Sequence, residues 1–250
     1  MPDAFAEALA QPGLGLLVFG AFLAGVVRGF SGFGTALIYL PIAAQVLTPV
    51  GALVTMSVMD MFGPLPNLPR AWRTGQPRDV GLMLAGAIVA LPFGVALLLA
   101  VPAEVFRYGV ALLSLGLLIC LALGLRYRGR LTRTLVLGIG TSSGFLGGAS
   151  GIAGPPVILF YMASKLPVAA IRANIMVYLF AVNLLILAML GLRGQVAGPF
   201  VVTGLMLAVP VILGNVAGAA IFRPAAERFY RAAAYGIIAA SALSGLPLWD

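Results

Sequence analysis

The sequence contains no histidine and a single cysteine, Cys120. Without histidine, zinc, haem and imidazole acid–base chemistry lose their usual ligand, so no metal or cofactor is expected. One cysteine excludes an intrachain disulfide, and Cys120, set in an apolar run, reads as a small buried residue. Charge is scarce as well. Asp, Glu, Lys and Arg together make up 9% of the 250 residues, against roughly 25% in a soluble domain. No polar stretch is long enough for a soluble domain, and no Gly-x-x-x-x-Gly-Lys-Ser/Thr string offers a phosphate loop for ATP.

What the chain does contain is apolar. Hydrophobic residues account for 62% of it and the mean hydropathy is +1.10. Stretches of about 20 apolar residues, enough to cross a bilayer, recur along its length. The composition predicts an all-α polytopic membrane protein, one membrane domain over residues 1–250. The N-terminal stretch 1–11 carries Asp3 and Glu7 and no cation. It lacks the basic start of a signal peptide, so the first apolar segment is expected to stay in the mature protein.

Five apolar segments occupy the first half (13–27, 33–47, 49–66, 80–100 and 104–125). Five occupy the second (134–146, 150–166, 168–190, 199–222 and 228–246). The net charge of +8 falls mostly in short loops, the distribution that marks cytoplasmic loops rather than a nucleic-acid surface. Arg70, Arg73 and Arg78 lie in 67–79; Arg126, Arg128, Arg130 and Arg133 lie in 126–133; Arg223, Arg228 and Arg231 precede the last segment. These three stretches are predicted on the cytoplasmic face. The 191–198 loop with Arg193, the N-terminus and the tail 247–250 are predicted outside. Arg107 and Lys165, near segment ends, read as anchors.

The two halves echo each other. Ser31-Gly32-Phe33 pairs with Ser150-Gly151-Ile152 and Gly75-Gln76 with Gly194-Gln195, both 119 positions apart; Leu91-Pro92 pairs with Val209-Pro210 at 118. Such an offset signals an internal duplication, repeat 1 over about 13–125 and repeat 2 over about 134–246. The matched loops 67–79 and 191–198 fall on opposite predicted faces, so the repeats are expected to be inverted, as in many secondary transporters. Parallel four-span units are the alternative.

Arg28 stands alone in the apolar run 14–46, followed at once by Gly29-Phe30-Ser31-Gly32-Phe33-Gly34-Thr35. A charge inside a span is costly and marks a hydrated cavity or a substrate path. Glycines weaken the helix there. A cation beside broken helix ends is the chemistry of an anion site. The second cluster runs Gly144-Phe145-Leu146-Gly147-Gly148-Ala149-Ser150-Gly151-Ile152-Ala153-Gly154-Pro155-Pro156. Pro155 suits the first turn of a helix starting near Gly154. Two readings stand for each cluster: an unwound turn lining a cavity, or close helix packing through Gly25-x-x-x-Gly29 and Gly144-x-x-x-Gly148. Each short pair of segments is expected to form a broken span, a re-entrant hairpin or two short spans.

The second cluster, with its counterpart at Arg28–Thr35, resembles the sulfite exporter TauE/SafE family, and the resemblance covers nearly the whole chain. It implies transport of small sulfur-containing anions, such as sulfite or organosulfonates, across a bacterial inner membrane. The chain departs from symmetry: Arg28 faces Gly147 across the offset, and Thr35-Ala36 replaces Pro155-Pro156. The two halves would therefore engage a substrate with different groups.

The expected substrate-binding set is Arg28, Ser31, Gly32, Gly34, Ser150, Gly151, Gly154, Arg172 and Asn174. Arg172 is read either as a second anion ligand or as an interfacial side chain that snorkels to headgroups. Asp60 is a counter-ion to Arg28 or Arg172, or a carrier of a coupling proton. Thr55, Ser57, Asn183 and Asn215 read as interhelical glue, with lining of the path as the alternative. Tyr39, Tyr161 and Tyr178 read as interfacial aromatics, with an oxyanion ligand as the alternative. The expected function is a secondary transporter of a small sulfur-containing anion working by alternating access. Carriage of another solute such as a carboxylate, an intramembrane enzyme and a structural membrane subunit are the alternatives. An enzyme is disfavoured because Ser31 and Ser150 lack both the nucleophile-elbow spacing and a histidine partner. Bilayer lipid and a small anion are the expected partners, and the small-residue faces would permit a homodimer.

Overall fold

A computed structural model describes residues 2–125, 127, 129–161, 166–223 and 226–247. The expectations for Arg126, Arg128, Lys165 and the end of the tail lie outside these residues. The described chain is all helical: α1 (Pro2–Leu9), α2 (Leu14–Ser31), α3 (Thr35–Ala43), α4 (Pro49–Phe62), α5 (Leu68–Thr74), α6 (Pro77–Ala100), α7 (Ala103–Ala122), α8 (Arg133–Ser150), α9 (Gly154–Pro156), α10 (Val168–Leu192), α11 (Gly198–Ile221) and α12 (Glu227–Ser244). A wide π-helical turn, Val157–Tyr161, continues α9. Among the described residues, five helices (α2, α6, α7, α10 and α11) are long and apolar enough to cross a membrane.

Local chemistry sets many of the starts. Thr48 caps α4 by accepting the Gly51 amide at 3.1 Å, with Pro49 in the first turn. Thr132 caps α8 by accepting the Leu135 amide at 3.2 Å. A side-chain oxygen at this position satisfies a donor that has no helical partner. Pro64, Pro66 and Pro69 interrupt the span that α4 begins, and a single 3-10 turn, Leu65–Asn67, links it to α5. Proline removes the backbone donors that a continuous helix needs. The loop expected over 67–79 is therefore mostly helix, with Arg70 and Arg73 on α5. α10 has no proline inside it and runs unbroken for 25 residues.

Both short pairs fold back on themselves. Gly20 lies against Ile42 and Gly13 against Val46, so α3 returns antiparallel along α2. After α8, Gly147 faces Ala153, and the Tyr127 amide donates to the Leu159 carbonyl at 3.2 Å. The chain there returns toward the start of α8. α4 then starts again beside α11, parallel to it, with Gly51 against Phe200 and Gly204 against Val58.

The remaining helices pack through glycine. A Cβ on Gly25 or Gly29 would strike the α11 backbone at Val211 and Asn215, and one on Gly144 or Gly148 the α6 backbone at Ala87 and Leu91. Small residues let two backbones approach where lipid supplies no hydrophobic drive between helices. The pairing is crosswise: α2 packs on α11, and α8 on α6. α6 shows how each span divides its faces. Met83, Ala87, Leu91 and Val95 are buried at a four-residue spacing, while Ile88, Val89 and Phe93 are exposed. That outward apolar surface suits lipid rather than water.

α10 runs antiparallel to α4 and α5: Asn174 meets Gln76, and Asn183 meets Asp60. The described arginines at the end of α5, at the starts of α6 and α8 and in the α11–α12 connection thus gather at one end of the bundle. Arg193 lies at the other.

Candidate anion site

The first break is built by Ser31, Gly32 and Gly34. Gly32 ends α2 at φ +80°, its amide donating to the Arg28 carbonyl at 2.7 Å. Gly34 precedes α3 at φ +103°. Both angles are left-handed and suit glycine. The Ser31 hydroxyl lies 2.7 Å from the Val27 carbonyl and 2.8 Å from that of Phe33, and accepts the Phe33 amide at 3.3 Å. Its bonding is spent on shaping the turn. Gly32 is exposed, with open space where a side chain would stand.

Arg28 projects from the last turn of α2. Its guanidinium forms a salt bridge with Asp60 of α4 and donates to the Thr35 hydroxyl at 3.4 Å. The Asn183 amide, from α10, donates to the second Asp60 oxygen at 3.5 Å. Four helices therefore meet at one ion pair. Arg28 keeps 25% of its side-chain surface exposed and Asp60 13%, so the pair is partly buried rather than a surface bridge. Thr35 opens α3, whose first amides have no acceptor within the helix. A cation and a helix N-terminus both favour negative charge at this spot. Asp60 supplies that charge from within the protein. Of the two arginines considered for Asp60, the structure pairs it with Arg28.

The second break repeats the turn without the charge. Gly151 ends α8 at φ +76°, and its amide donates to the Gly147 carbonyl at 2.9 Å. The Ser150 hydroxyl donates to the Leu146 carbonyl at 2.8 Å and accepts the Ile152 amide at 3.3 Å. Ser143 donates to the Ala153 carbonyl at 2.5 Å. Gly151 lies against Leu40 and Leu53, and Gly154 against Ile158. Ile152, Pro155 and Pro156 are buried. Gly147, the counterpart of Arg28, packs on Ala153 and Val182.

Asn174 belongs to a separate cluster. It is fully buried, accepts the Gln76 amide at 2.7 Å and donates to the Tyr161 hydroxyl at 2.5 Å. Tyr161 in turn donates to Asp79 at 2.9 Å. These bonds clasp the returning chain of the second hairpin to the start of α6. Arg172, two residues earlier, is exposed at the arginine-rich end. Two residues subtend about 200° on a helix, so the two side chains leave α10 on opposite faces. The structure does not bring either of them to Arg28.

The tyrosines correct an expectation. Tyr39, Tyr161 and Tyr178 are fully buried rather than interfacial. Tyr39 donates to Thr55 at 2.8 Å, and Tyr178 to the Gly140 carbonyl at 3.4 Å. Thr35 and Asn183 were not among the residues expected to bind substrate. Thr35 was legible as the polar end of the first motif. Asn183 was legible as a polar residue within a span, but its partner Asp60, 123 residues away, was not. An apolar groove between α5 and α10, edged by Trp72 and Phe180, lies apart from this chemistry.

An all-helical chain with several lipid-length helices, two returning hairpins and a charged pair at one of their tips is a polytopic membrane protein built around an internal polar site. The model of the family described as sulfite exporter TauE/SafE matches residues 17–245, and the chain belongs to that family. It is accordingly a membrane transporter and not an enzyme. No curated protein and no solved structure matched the chain.

Proposed function

We propose that the protein is a secondary transporter of a small sulfur-containing anion, sulfite or a short organosulfonate, with its site at Arg28 and the N-terminus of α3. The salt bridge between Arg28 and Asp60 at the first break carries this reading. It holds a cation ready beside free helix amides and an exposed glycine, and it occupies that cation with a carboxylate when no substrate is bound. The family description supplies the substrate class. Gly32, Gly34 and Ser31 shape the turn; Gly151, Gly154 and Ser150 shape its counterpart, which serves as a neutral support for α3 and α4.

An inverted duplication provides the frame for alternating access. Several observations support it. α2 and α8 begin and end 119 positions apart, with Gly32 and Gly151 at their ends. α4 and α10 begin at the same offset yet run antiparallel. The crosswise packing of α2 on α11 and of α8 on α6 would let each hairpin move with a helix of the other half. The arginine-rich end is cytoplasmic on this reading, in a bacterial inner membrane, with both termini outside.

Uptake by purified protein in liposomes tests the proposal. Sulfite and methanesulfonate are expected to enter and to compete with each other, and Arg28→Ala to reduce entry to the level of empty liposomes while the protein keeps its helical content. Wild-type uptake by that variant would remove Arg28 from the mechanism. Stronger competition by acetate than by either sulfur anion would reassign the substrate to carboxylates.

A further inference from the structure

Resting on that reading of Arg28, the arrangement of charges around Asp60 says more about how transport is driven. In the empty site Arg28 and Asp60 cancel, and four helices meet around a neutral pair. A substrate anion that engages the guanidinium and the first amides of α3 must take the place of the Asp60 carboxylate. Asp60 would then keep only the Asn183 amide, now beside a second negative charge.

Among the described residues near α4, nothing else balances it. α11, packed along α4, carries no titratable side chain. α3 offers only Tyr39, which is bonded to Thr55. α10 offers Arg172, exposed at its start, and Tyr178, bonded to Gly140. α6, which also touches α4, carries Arg78 and Asp79 in its first turn, and Asp79 accepts from Tyr161. Among the described residues, Arg28 alone reaches the Asp60 carboxylate with a positive charge.

We infer that Asp60 takes up one proton each time an anion replaces it at Arg28, which makes the carrier an electroneutral symporter of one proton with one monovalent anion. The charge count is the reason. Loaded with an anion and an ionised Asp60, the site would hold a net charge of −1 inside an apolar bundle, a costly state. With Asp60 protonated, the loaded site is neutral, as the empty one is. Anion and proton therefore favour each other's binding, by the reciprocity that links any two ligands of one protein. The proton comes from water on the side where the anion enters and leaves with the anion on the other. Asn183 suits both states, because a carboxamide can donate to a carboxylate or accept from a carboxylic acid.

Methanesulfonate is the decisive probe, since a sulfonate stays ionised and cannot carry the proton itself. Wild-type protein in liposomes with a trapped pH-sensitive dye is expected to acidify the lumen by one proton per methanesulfonate. Clamping the membrane potential with valinomycin and potassium should leave the rate unchanged. A gradient of one pH unit should drive accumulation to at most about tenfold, the ratio equivalent to one proton. In Asp60→Asn the empty site is charged and the loaded one neutral. Net uptake should then fall more than exchange, raising the ratio of exchange to net uptake at least about tenfold. Arg28-dependent methanesulfonate flux that follows the membrane potential and moves no proton would overturn this inference and leave the anion site standing. Absence of flux for any sulfur anion would overturn both. Should Asp60→Asn fail to fold, the proton count on the wild type decides alone.

Discussion

The two helix breaks share a turn and differ in what surrounds it. Each ends on a serine bonded to the carbonyl four residues back and on a glycine at nearly the same positive φ, +80° in one and +76° in the other. Around the first stand Arg28, Asp60, Thr35 and Asn183, with Gly32 exposed. Around the second stand Leu40, Leu53, Val182 and buried prolines. The turn is therefore a scaffold, stable with or without a charge. The chemistry comes from Arg28 one turn before it and from side chains that α3, α4 and α10 bring to face it. The sequence already set the two turns apart, with Arg28 opposite Gly147 across the offset. The structure gives the serines to backbone carbonyls and, among the described residues, puts the ion pair at the first turn.

Erasing the difference at the first break should have the largest effect. Arg28→Gly makes it resemble the second, and uptake of methanesulfonate by reconstituted protein is expected to fall on the order of a thousandfold, the loss of a charge-assisted contact in a partly buried site. The reverse change, Gly147→Arg, puts a cation against Ala153 and Val182 with no acid beside it. It should cost about 3 kcal/mol or more and show as loss of folded protein in detergent. Adding Arg28→Gly to it should not recover transport, because Asp60 faces only the first break.

Smaller changes sharpen the comparison of the two glycines. Gly32→Ala meets open space and pays only the left-handed backbone, about 1–2 kcal/mol. Gly151→Ala pays the same and also presses on Leu40, 2.9 Å from where its Cβ would sit. Thermal unfolding should rank it clearly below Gly32→Ala, and equal melting temperatures would mean that the second break is not packed as described. Ser143→Ala removes the bond to the Ala153 carbonyl and should have the least effect, about 0.6 kcal/mol on stability with little change in uptake.

Much of the fold could be read from the residues. The apolar segments lie within a few residues of the helices, and proline and threonine mark several starts, as at Thr48-Pro49 and Thr132. Arg28 was conspicuous because a lone charge has so few reasons to lie in an apolar run. The packing glycines and the turn glycines could not be separated by sequence. Gly25 and Gly29 seat the α11 backbone, while Gly32 and Gly34, one turn further on, supply positive φ. Arg172 and Asn174 were grouped by proximity in the chain, which ignores the helical rotation that sends them to opposite faces.

Composition and motif alone pointed to a helical membrane protein with a charged break in its first half, because the cost of burying charge and the limits on glycine and proline act locally. The partners of that charge were decided only by tertiary structure. Asp60 reaches Arg28 across 32 positions of chain and Asn183 reaches Asp60 across 123, and helix packing, unlike helix formation, brings together residues that share no local pattern.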